Sequence, residues 1–273
     1  MRRWPLPLIL VVVGCAKPAP TPPVSAPPAN APYRQVQLDA THRLWIYEPK
    51  GVTGKRPCIL IAPAGAHMND GMSLGEGDID EEIPYVAAGY VVVAYDVSGP
   101  LEGNSGAAVV EATKAFAAAD AGVADGKRAL DYALKNLNVD PVHVAAAGHS
   151  SAATIALTLA ENEPRIKACL AYAPVVDVAE RLGDRLDALE RAAPGVREKL
   201  VQFSPVTGKD SLRCPTLIFH AKDDDNVLSE PLTSFAHSIP SVTFHEVETG
   251  GHYDSMIREG IPAGIALLKK AGF

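Results

Sequence analysis

Short runs of β-branched and other apolar residues alternate along the chain with longer stretches in which apolar residues recur every three or four positions. The short runs are typical of strands and the longer stretches of amphipathic helices. Runs such as VVVAY and TLIFH are apolar at every position, which is typical of parallel strands buried on both faces. Eight runs predict strands, at residues 34–38, 43–48, 58–62, 90–95, 143–147, 168–173, 216–220 and 242–247.

Three of the helical stretches place their apolar residues on a single face. These faces comprise Leu130, Ala133, Leu134 and Leu137; Leu228, Leu232, Phe235 and Ile239; and Ile257, Ile261, Ile265 and Leu268. The alternation predicts one α/β domain over residues 33–273, with a mostly parallel sheet covered by helices on both faces. Because the first two strands are joined too closely for a crossover helix, we expect them to form an antiparallel hairpin at the sheet edge.

One stretch interrupts the alternation. Residues 176–208 contain no strand pattern and predict one or two amphipathic helices, at 178–192 and 195–201. In an open α/β sheet, an insertion that follows the end of a strand often covers the functional site. We therefore expect residues 176–208 to form a short helical cap.

The first residues predict a targeting segment. Arg2 and Arg3 precede a short apolar run at residues 5–13, which is too short to span a bilayer and fits a secretory signal peptide over residues 1–14. Its end, Val-Val-Gly-Cys, resembles the bacterial lipobox, and this resemblance implies cleavage before Cys15 and lipidation of its thiol. Ala16 in the next position would then imply the outer membrane of a Gram-negative envelope. The alternative is an ordinary secretion signal with an incidental cysteine.

The segment that follows is rich in proline. Residues 16–32 contain seven prolines and almost no large apolar side chain, so this composition predicts an extended tether rather than a packed core. Together with the lipidated Cys15 it would hold the domain clear of a membrane. The chain as a whole has a formal net charge of −7, which argues against a nucleic-acid partner.

Three further cysteines stand at the starts of strand-like runs. Cys58, Cys169 and Cys214 show no metal-site spacing, and an odd number cannot pair completely. We expect buried free thiols, and Cys169–Cys214 is the one pair that an oxidising compartment could bridge. The chain also contains no glycine-rich phosphate loop and no Cys/His metal cluster.

A serine lies between small residues where a strand gives way to a helix. The sequence Gly148-His149-Ser150-Ser151-Ala152 directly follows the run at residues 143–147, and a helical pattern begins at once behind it. Such a turn exposes a nucleophilic hydroxyl, while the helix N-terminus directs backbone N–H groups toward an oxyanion formed there. A serine hydroxyl needs a base, normally a histidine that is oriented by a carboxylate.

The other two groups are available at the ends of later strands. His252 follows the run at residues 242–247, and the three consecutive aspartates Asp223, Asp224 and Asp225 follow the run at residues 216–220. Parallel strands deliver their carboxyl ends to one edge of the sheet, so serine, carboxylate and histidine should meet there. The chain order serine, aspartate, histidine is that of α/β-hydrolases.

Residues 56–270 resemble α/β-hydrolases of the prolyl oligopeptidase and dienelactone hydrolase groups. The segments that carry the resemblance are AAGYVVVAYD, VHVAAAGHSSAA, CPTLIFHAKDDDNV and GGHYDSM. It implies that Ser150 is the nucleophile, His252 the base and Asp224 the carboxylate that orients the base, although Ala221 replaces the family's glycine in the Asp-bearing motif. Asp223 and Asp225 would then be solvated turn residues. Dienelactone hydrolases use a cysteine nucleophile where this chain has Ser150.

An oxyanion hole needs a second donor from the loop after the third strand. That loop reads Pro-Ala-Gly-Ala-His, where the family often has His-Gly-Gly, and we expect the N–H of Ser151 together with that of Gly65 or Ala66. Other polar residues near the site are first interpreted as structural. His149 is expected to pack or hydrogen-bond locally, and His220 to brace the Asp-bearing turn. Asp96 is expected to be structural, and Glu81 and Glu82 to be first-turn helix acids. His67 is a candidate pocket residue. Met68, Met72 and Tyr253 are candidates for an apolar pocket or, equally, for core packing.

These residues predict acyl transfer to water with no cofactor. We favour an ester of small or medium size as substrate, because the chain leaves no room for the propeller domain that filters peptides in prolyl oligopeptidases. A serine peptidase is the close alternative. A catalytically idle binding lipoprotein and an acyltransferase that acts on envelope glycans are the others.

Overall fold

The structure, a computed structural model, describes residues 32–51 and 53–273. The predicted signal peptide at 1–14, Cys15 and the tether up to residue 31 lie outside the described residues. Within the described part of the chain, no helix combines the length and apolar character needed to cross a membrane.

Among the residues described, eight strands form one sheet in the order β1-β2-β4-β3-β5-β6-β7-β8. The strands are β1 (Arg34–Gln37), β2 (Arg43–Tyr47), β3 (Arg56–Ile61), β4 (Val91–Tyr95), β5 (Val139–His149), β6 (Ala168–Tyr172), β7 (Thr216–Ala221) and β8 (Val242–Val247). β1 and β2 are antiparallel to their neighbours, and the remaining strands run parallel. The predicted α/β fold, its eight strands and the antiparallel edge hairpin are confirmed.

In the described part of the chain, ten α-helices connect and cover the strands. They are α1 (Ile79–Ala87), α2 (Gly106–Ala118), α3 (Val123–Asn136), α4 (Ser151–Asn162), α5 (Val178–Leu182), α6 (Asp184–Ala192), α7 (Val196–Gln202), α8 (Pro205–Gly208), α9 (Ser229–His237) and α10 (Ile261–Lys270). Short 3-10 turns at Glu76–Asp78 and Lys209–Ser211 and a π-helical turn at Met256–Gly260 complete the described structure.

Apolar side chains alternate between the two faces of the sheet and form a core on each side. All five residues of β4 are buried, as its continuous apolar run predicts. On the predicted helical faces, Leu130 and Ala133 are fully buried, but the prediction that Leu228 belongs to such a face is wrong. Leu228 precedes α9 and is 71% exposed, because the helix begins one residue later.

The insertion at residues 176–208 folds as the four short helices α5–α8. The helix predicted at 178–192 is broken at Gly183, whose backbone (φ 50°, ψ −134°) no helix can continue. Val178, Leu200 and Phe203 from this segment lie over the start of α4. They enclose a cavity of about 20 Å³ beside Ser151, enough for one water molecule.

Candidate active site

The serine predicted as nucleophile occupies a strained turn. Ser150 lies between β5 and α4 with φ 54° and ψ −120°, a conformation that side-chain-bearing residues rarely adopt. Its N–H donates to the carbonyl of Tyr172 at 2.8 Å, which fixes the turn to strand β6. A Cβ atom at Gly148 would lie 2.5 Å from the backbone of Ala152, so this position requires glycine. β5 extends to His149, further than predicted, and delivers Ser150 directly at the sheet edge.

The predicted base and carboxylate are paired. Nδ1 of His252 lies 2.7 Å from Oδ2 of Asp224, whose side chain is fully buried. Burial works to raise the pKa of Asp224, but hydrogen bonds from His252 and from the N–H groups of Asn226 and Val227 outweigh it and lower the pKa below its ordinary value. The ionised carboxylate therefore holds the histidine ring with Nδ1 protonated and leaves Nε2 as the basic atom.

Ser150 and His252 share this edge without a direct bond. Among the described residues, neither the Ser150 hydroxyl nor Nε2 of His252 has a hydrogen-bond partner. The ring of His149 lies against that of His252, with centroids 4.5 Å apart, so the turn that carries Ser150 and the loop that carries His252 are packed together. Catalytic hydrogen bonds are often long without substrate and tighten when it binds.

His149 also carries a polar link that joins three parts of the site. Its Nε2–H donates to the backbone carbonyl of His252 at 2.8 Å, and its Nδ1 lies 3.5 Å from a carboxylate oxygen of Glu81. The ring of His149 is packed, as expected, but its hydrogen-bond partner is 103 residues away and not local. Glu81 does lie in the first turn of α1, but it is only 7% exposed and faces His149 rather than solvent. Neither contact leaves a signal in the sequence pattern.

The Asp-bearing turn is braced from two sides. His220, buried at the end of β7, donates from Nε2 to the carbonyl of Val227 at 2.9 Å, as expected for it. Asp223 is a turn residue, as predicted, and it also has a role that the prediction did not include. It is exposed, but its carboxylate accepts from the N–H groups of Gly250 and Gly251 at 3.1 and 2.8 Å and so holds the loop that carries His252.

The predicted oxyanion donors are arranged differently from expectation. The N–H groups of Gly65 and Ala66 both donate to the side-chain hydroxyl of Ser151, each at 3.0 Å. In this arrangement neither N–H is free to bind a substrate oxygen directly. The N–H of Ser151 belongs to the first turn of α4, where backbone donors lack an acceptor within the helix.

The remaining candidates take varied positions. His67 is largely exposed and bonds Asp70, while Met68 lines the small cavity beneath the cap. Tyr253 is 40% exposed and its ring meets the edge of His149. Two further side chains are structural: Asp96 binds Arg43, as expected, and Glu82 accepts from the hydroxyl of Tyr47. Met72 is exposed and lies beside Gly65.

The cysteines of the domain are free. Cys58 and Cys169 are buried and Cys214 is partly buried, and the predicted candidate pair Cys169–Cys214 is not bridged. Burial raises the pKa of the Cys58 thiol to about 12, so it is inert in the neutral range. In the residues that the structure describes, no three His, Cys, Asp or Glu side chains are grouped to hold a metal ion.

Comparisons with known proteins agree with this architecture. The sequence profile of the prolyl oligopeptidase family (peptidase S9) matches residues 78–256. No curated protein sequence matches the chain significantly. Among solved structures, the chain is similar to acetyl xylan esterase 1 from Thermoanaerobacterium sp., with 17% identity and a TM-score of 0.60 over 84% of this chain and 80% of that one.

Two further structures show the same fold. Est1E from Butyrivibrio proteoclasticus is 16% identical, with a TM-score of 0.61 over 88% of this chain and 99% of that one. A puromycin-hydrolyzing peptidase from Mycobacterium tuberculosis is 17% identical, with a TM-score of 0.68 over 88% of this chain but only 39% of that one. The likeness therefore covers nearly whole esterases and a part of a longer peptidase.

Proposed function

Because the chain belongs to the prolyl oligopeptidase family of serine hydrolases, we propose that Ser150, His252 and Asp224 are its catalytic residues. The observation that carries this proposal is the contrast in hydrogen bonding within the set. Asp224 is buried and both of its carboxylate oxygens are hydrogen-bonded; its Oδ2 lies 2.7 Å from Nδ1 of His252. The Ser150 hydroxyl and Nε2 of His252 stay free of other described groups and available to substrate.

The chemistry follows from these positions. The Ser150 hydroxyl attacks the substrate carbonyl while Nε2 of His252 accepts its proton, and Asp224 stabilises the resulting imidazolium. The tetrahedral intermediate then collapses to an acyl-enzyme as His252 returns the proton to the leaving alcohol or amine. A water molecule, deprotonated by His252, attacks the acyl-enzyme and releases the carboxylic acid, restoring the Ser150 hydroxyl.

We favour an ester with a small or medium acyl group as the substrate. The fold alignment covers 80% and 99% of the two esterases, but only 39% of the peptidase. The peptidase alternative is supported by the family itself, whose profile covers the site from residue 78 to residue 256.

Labelling with a fluorophosphonate probe tests the site. The wild-type protein should be labelled and Ser150→Ala should not, because phosphonylation requires the activated hydroxyl. Ser98→Ala is a matched control, since Ser98 also lies beyond a strand end but is hydrogen-bonded to His42 and Asp125. An unlabelled wild-type protein would contradict the hydrolase proposal, and labelling that survives Ser150→Ala would contradict the assignment of the nucleophile.

A second assay separates the two substrate classes. Matched p-nitrophenyl esters and p-nitroanilides with the same acyl group differ only in the leaving group. We expect turnover of the esters to exceed that of the anilides by a wide margin. Comparable turnover of peptide anilides would support the peptidase alternative instead.

We also propose that Cys15 carries a lipid anchor and that the protein resides in a bacterial cell envelope, in the outer membrane. Support comes from the basic residues, the apolar run and the Gly-Cys pair at its end, together with Ala16. Expressed at full length in a Gram-negative host, the wild-type protein should sediment with outer membranes, whereas Cys15→Ser should not. Equal membrane fractions for the two proteins would contradict the anchor.

A further inference from the structure

The residue after the nucleophile places a hydroxyl group between two backbone donors. Ser151 is the first residue of α4 and is only 3% exposed. Its hydroxyl oxygen accepts from the N–H of Gly65 and from that of Ala66, each at 3.0 Å. A hydroxyl oxygen has two lone pairs, so these two bonds use its whole accepting capacity.

The hydroxyl proton of Ser151 is left without an acceptor among the residues that the structure describes. A buried donor with no partner is uncommon in folded proteins and calls for an explanation such as a ligand, a water or a catalytic role. The backbone N–H of the same residue also lacks an acceptor within α4, since helices leave their first donors unpaired. Ser151 therefore presents two donors directly next to Ser150.

We propose that the Ser151 hydroxyl is the second oxyanion donor of this enzyme, alongside the Ser151 N–H. Gly65 and Ala66 then act through it: each N–H that donates to the oxygen polarises the O–H bond and strengthens its donation. The inference rests on the proposed function of Ser150. The proposed oxyanion hole differs from the usual one, because the loop after β3 stabilises the oxyanion through the side chain of Ser151.

The two arrangements make opposite predictions for one substitution. If Gly65 or Ala66 donated directly to the oxyanion, Ser151→Ala would free those N–H groups and leave kcat unchanged or higher. If the hydroxyl is the donor, Ser151→Ala removes it. Loss of a single oxyanion donor lowers kcat by roughly 10²-fold, with little change in KM.

The experiment compares the wild type with Ser151→Ala and Ser151→Thr on a p-nitrophenyl ester. Threonine keeps the hydroxyl, and residue 151 lines a cavity of about 20 Å³. We expect kcat to fall on the order of 10²-fold in Ser151→Ala and to stay within about fivefold of the wild type in Ser151→Thr. Thermal unfolding of each variant confirms that it is folded.

Inhibition by an aryl trifluoromethyl ketone adds a readout that a structural role would not move. The ketone forms a hemiketal with Ser150, and its oxygen mimics the oxyanion. Its inhibition constant should rise in Ser151→Ala by about the same factor as kcat falls. The proposal would be overturned by an unchanged inhibition constant or by an unchanged or higher kcat in Ser151→Ala. It would also be overturned if Ser151→Thr lost as much kcat as Ser151→Ala. These results would include the case in which the hydroxyl only donates to a water in the cavity.

These outcomes are distinct from failure of the proposed function. A wild-type protein with no esterase turnover and no fluorophosphonate labelling would contradict the hydrolase assignment and this inference together. A wild-type protein that is active and labelled, with Ser151→Ala equally active, would contradict only the role of the hydroxyl.

Discussion

The sheet edge that holds the proposed catalytic residues also holds a second group of an aspartate, a histidine and a serine. In this second group, Nδ1 of His42 lies 2.8 Å from Asp39, and Nε2 of His42 lies 2.8 Å from the hydroxyl of Ser98. The hydroxyl of Ser98 donates to the buried Asp125 at 2.9 Å, and the N–H of Ser98 donates to the same carboxylate. Arg128 forms ion pairs with both carboxylates.

The first group, formed by Ser150, His252 and Asp224, has the opposite pattern of hydrogen bonds. Asp224 is as fully bonded as Asp125, but the serine and the far nitrogen of the histidine are unengaged among the described residues. Ser150 stands on a strained turn at the N-terminus of a 12-residue helix. Ser98 instead follows β4 in a loop, and its proton is already held by a carboxylate.

The difference shows that residue types and distances do not by themselves make a nucleophile. The second group satisfies the pairwise distances of a catalytic triad better than the first. Its serine cannot transfer a proton to His42, however, because that proton lies on the bond to Asp125. What distinguishes a site is the set of polar atoms left unsatisfied where a substrate can reach them.

The largest predicted effect separates the two serines. Ser150→Ala should abolish ester hydrolysis, since no described hydroxyl can replace its own, whereas Ser98→Ala should keep kcat within about twofold. The Ser98 variant should instead lose about 1–3 kcal/mol in its free energy of unfolding, because a buried oxygen of Asp125 loses its donor. Ester kinetics and urea denaturation measure the two quantities. An inactive but stable Ser98→Ala would overturn the contrast.

The two aspartates should differ in the same direction. Asp224→Asn leaves the shape of the site but removes the charge that holds Nδ1 of His252 protonated, so kcat should fall by roughly 10³–10⁴-fold. Asp39→Asn should leave kcat unchanged, since Asp39 acts on His42 and Arg128 rather than on the proposed catalytic residues. Steady-state kinetics on one ester, with circular dichroism to confirm folding, decides between these outcomes. Similar activity in both variants would contradict the assignment.

Much of this organisation follows from local sequence patterns. The eight strands have strong apolar runs, and the turn that carries Ser150 needs only small residues between a strand and a helix. His252 and Asp224 follow strand ends, so parallel topology alone brings them to the same edge.

The contacts missed by the sequence analysis are hydrogen bonds between distant residues. Asp223 binds Gly250 and Gly251 about 27 positions away, and the hydroxyl of Ser151 binds the loop after β3 over more than 80 positions. Such pairs depend on side-chain rotamers and loop paths, which neither periodicity nor composition encodes. The same holds for Glu81, whose place in a first helical turn is typical of an exposed acid.

A smaller effect is expected for His149, which flanks the proposed catalytic residues. His149→Phe keeps a ring against His252 but loses the N–H that donates to the His252 carbonyl. The loop that carries His252 therefore loses a hydrogen bond to the turn that carries Ser150. We expect kcat to fall roughly tenfold with KM nearly unchanged, because small displacements of a catalytic group are costly.

His42→Phe is the matched control for this substitution. It removes bonds to Asp39 and Ser98 and should lower the unfolding free energy without a comparable change in kcat. Equal kcat for His149→Phe and the wild type would show that the link from His149 does not position the base.

The smallest effect concerns the acid dependence of stability. Burial works to raise the pKa of both Asp39 and Asp224, but hydrogen bonds outweigh it and hold each pKa below the ordinary 3.8; for Asp39 these come from Thr41, His42 and Arg128. A carboxylate with a depressed pKa in the folded state contributes stability above its unfolded-state pKa and loses it as the pH falls through the folded-state value. The unfolding free energy of the wild type should therefore decline below about pH 4.

Each asparagine variant should make this decline shallower, because one fewer carboxylate takes up a proton on unfolding. Urea denaturation between about pH 2.5 and pH 5 measures the slope. Asp39→Asn should change the slope alone, whereas Asp224→Asn should change both the slope and kcat. A wild-type slope in the double variant would show that the hydrogen bonds around these carboxylates do not lower their pKa. A loss of kcat in Asp39→Asn would mean that the second group is coupled to the first, so that the two sets of residues work as one network along the sheet edge.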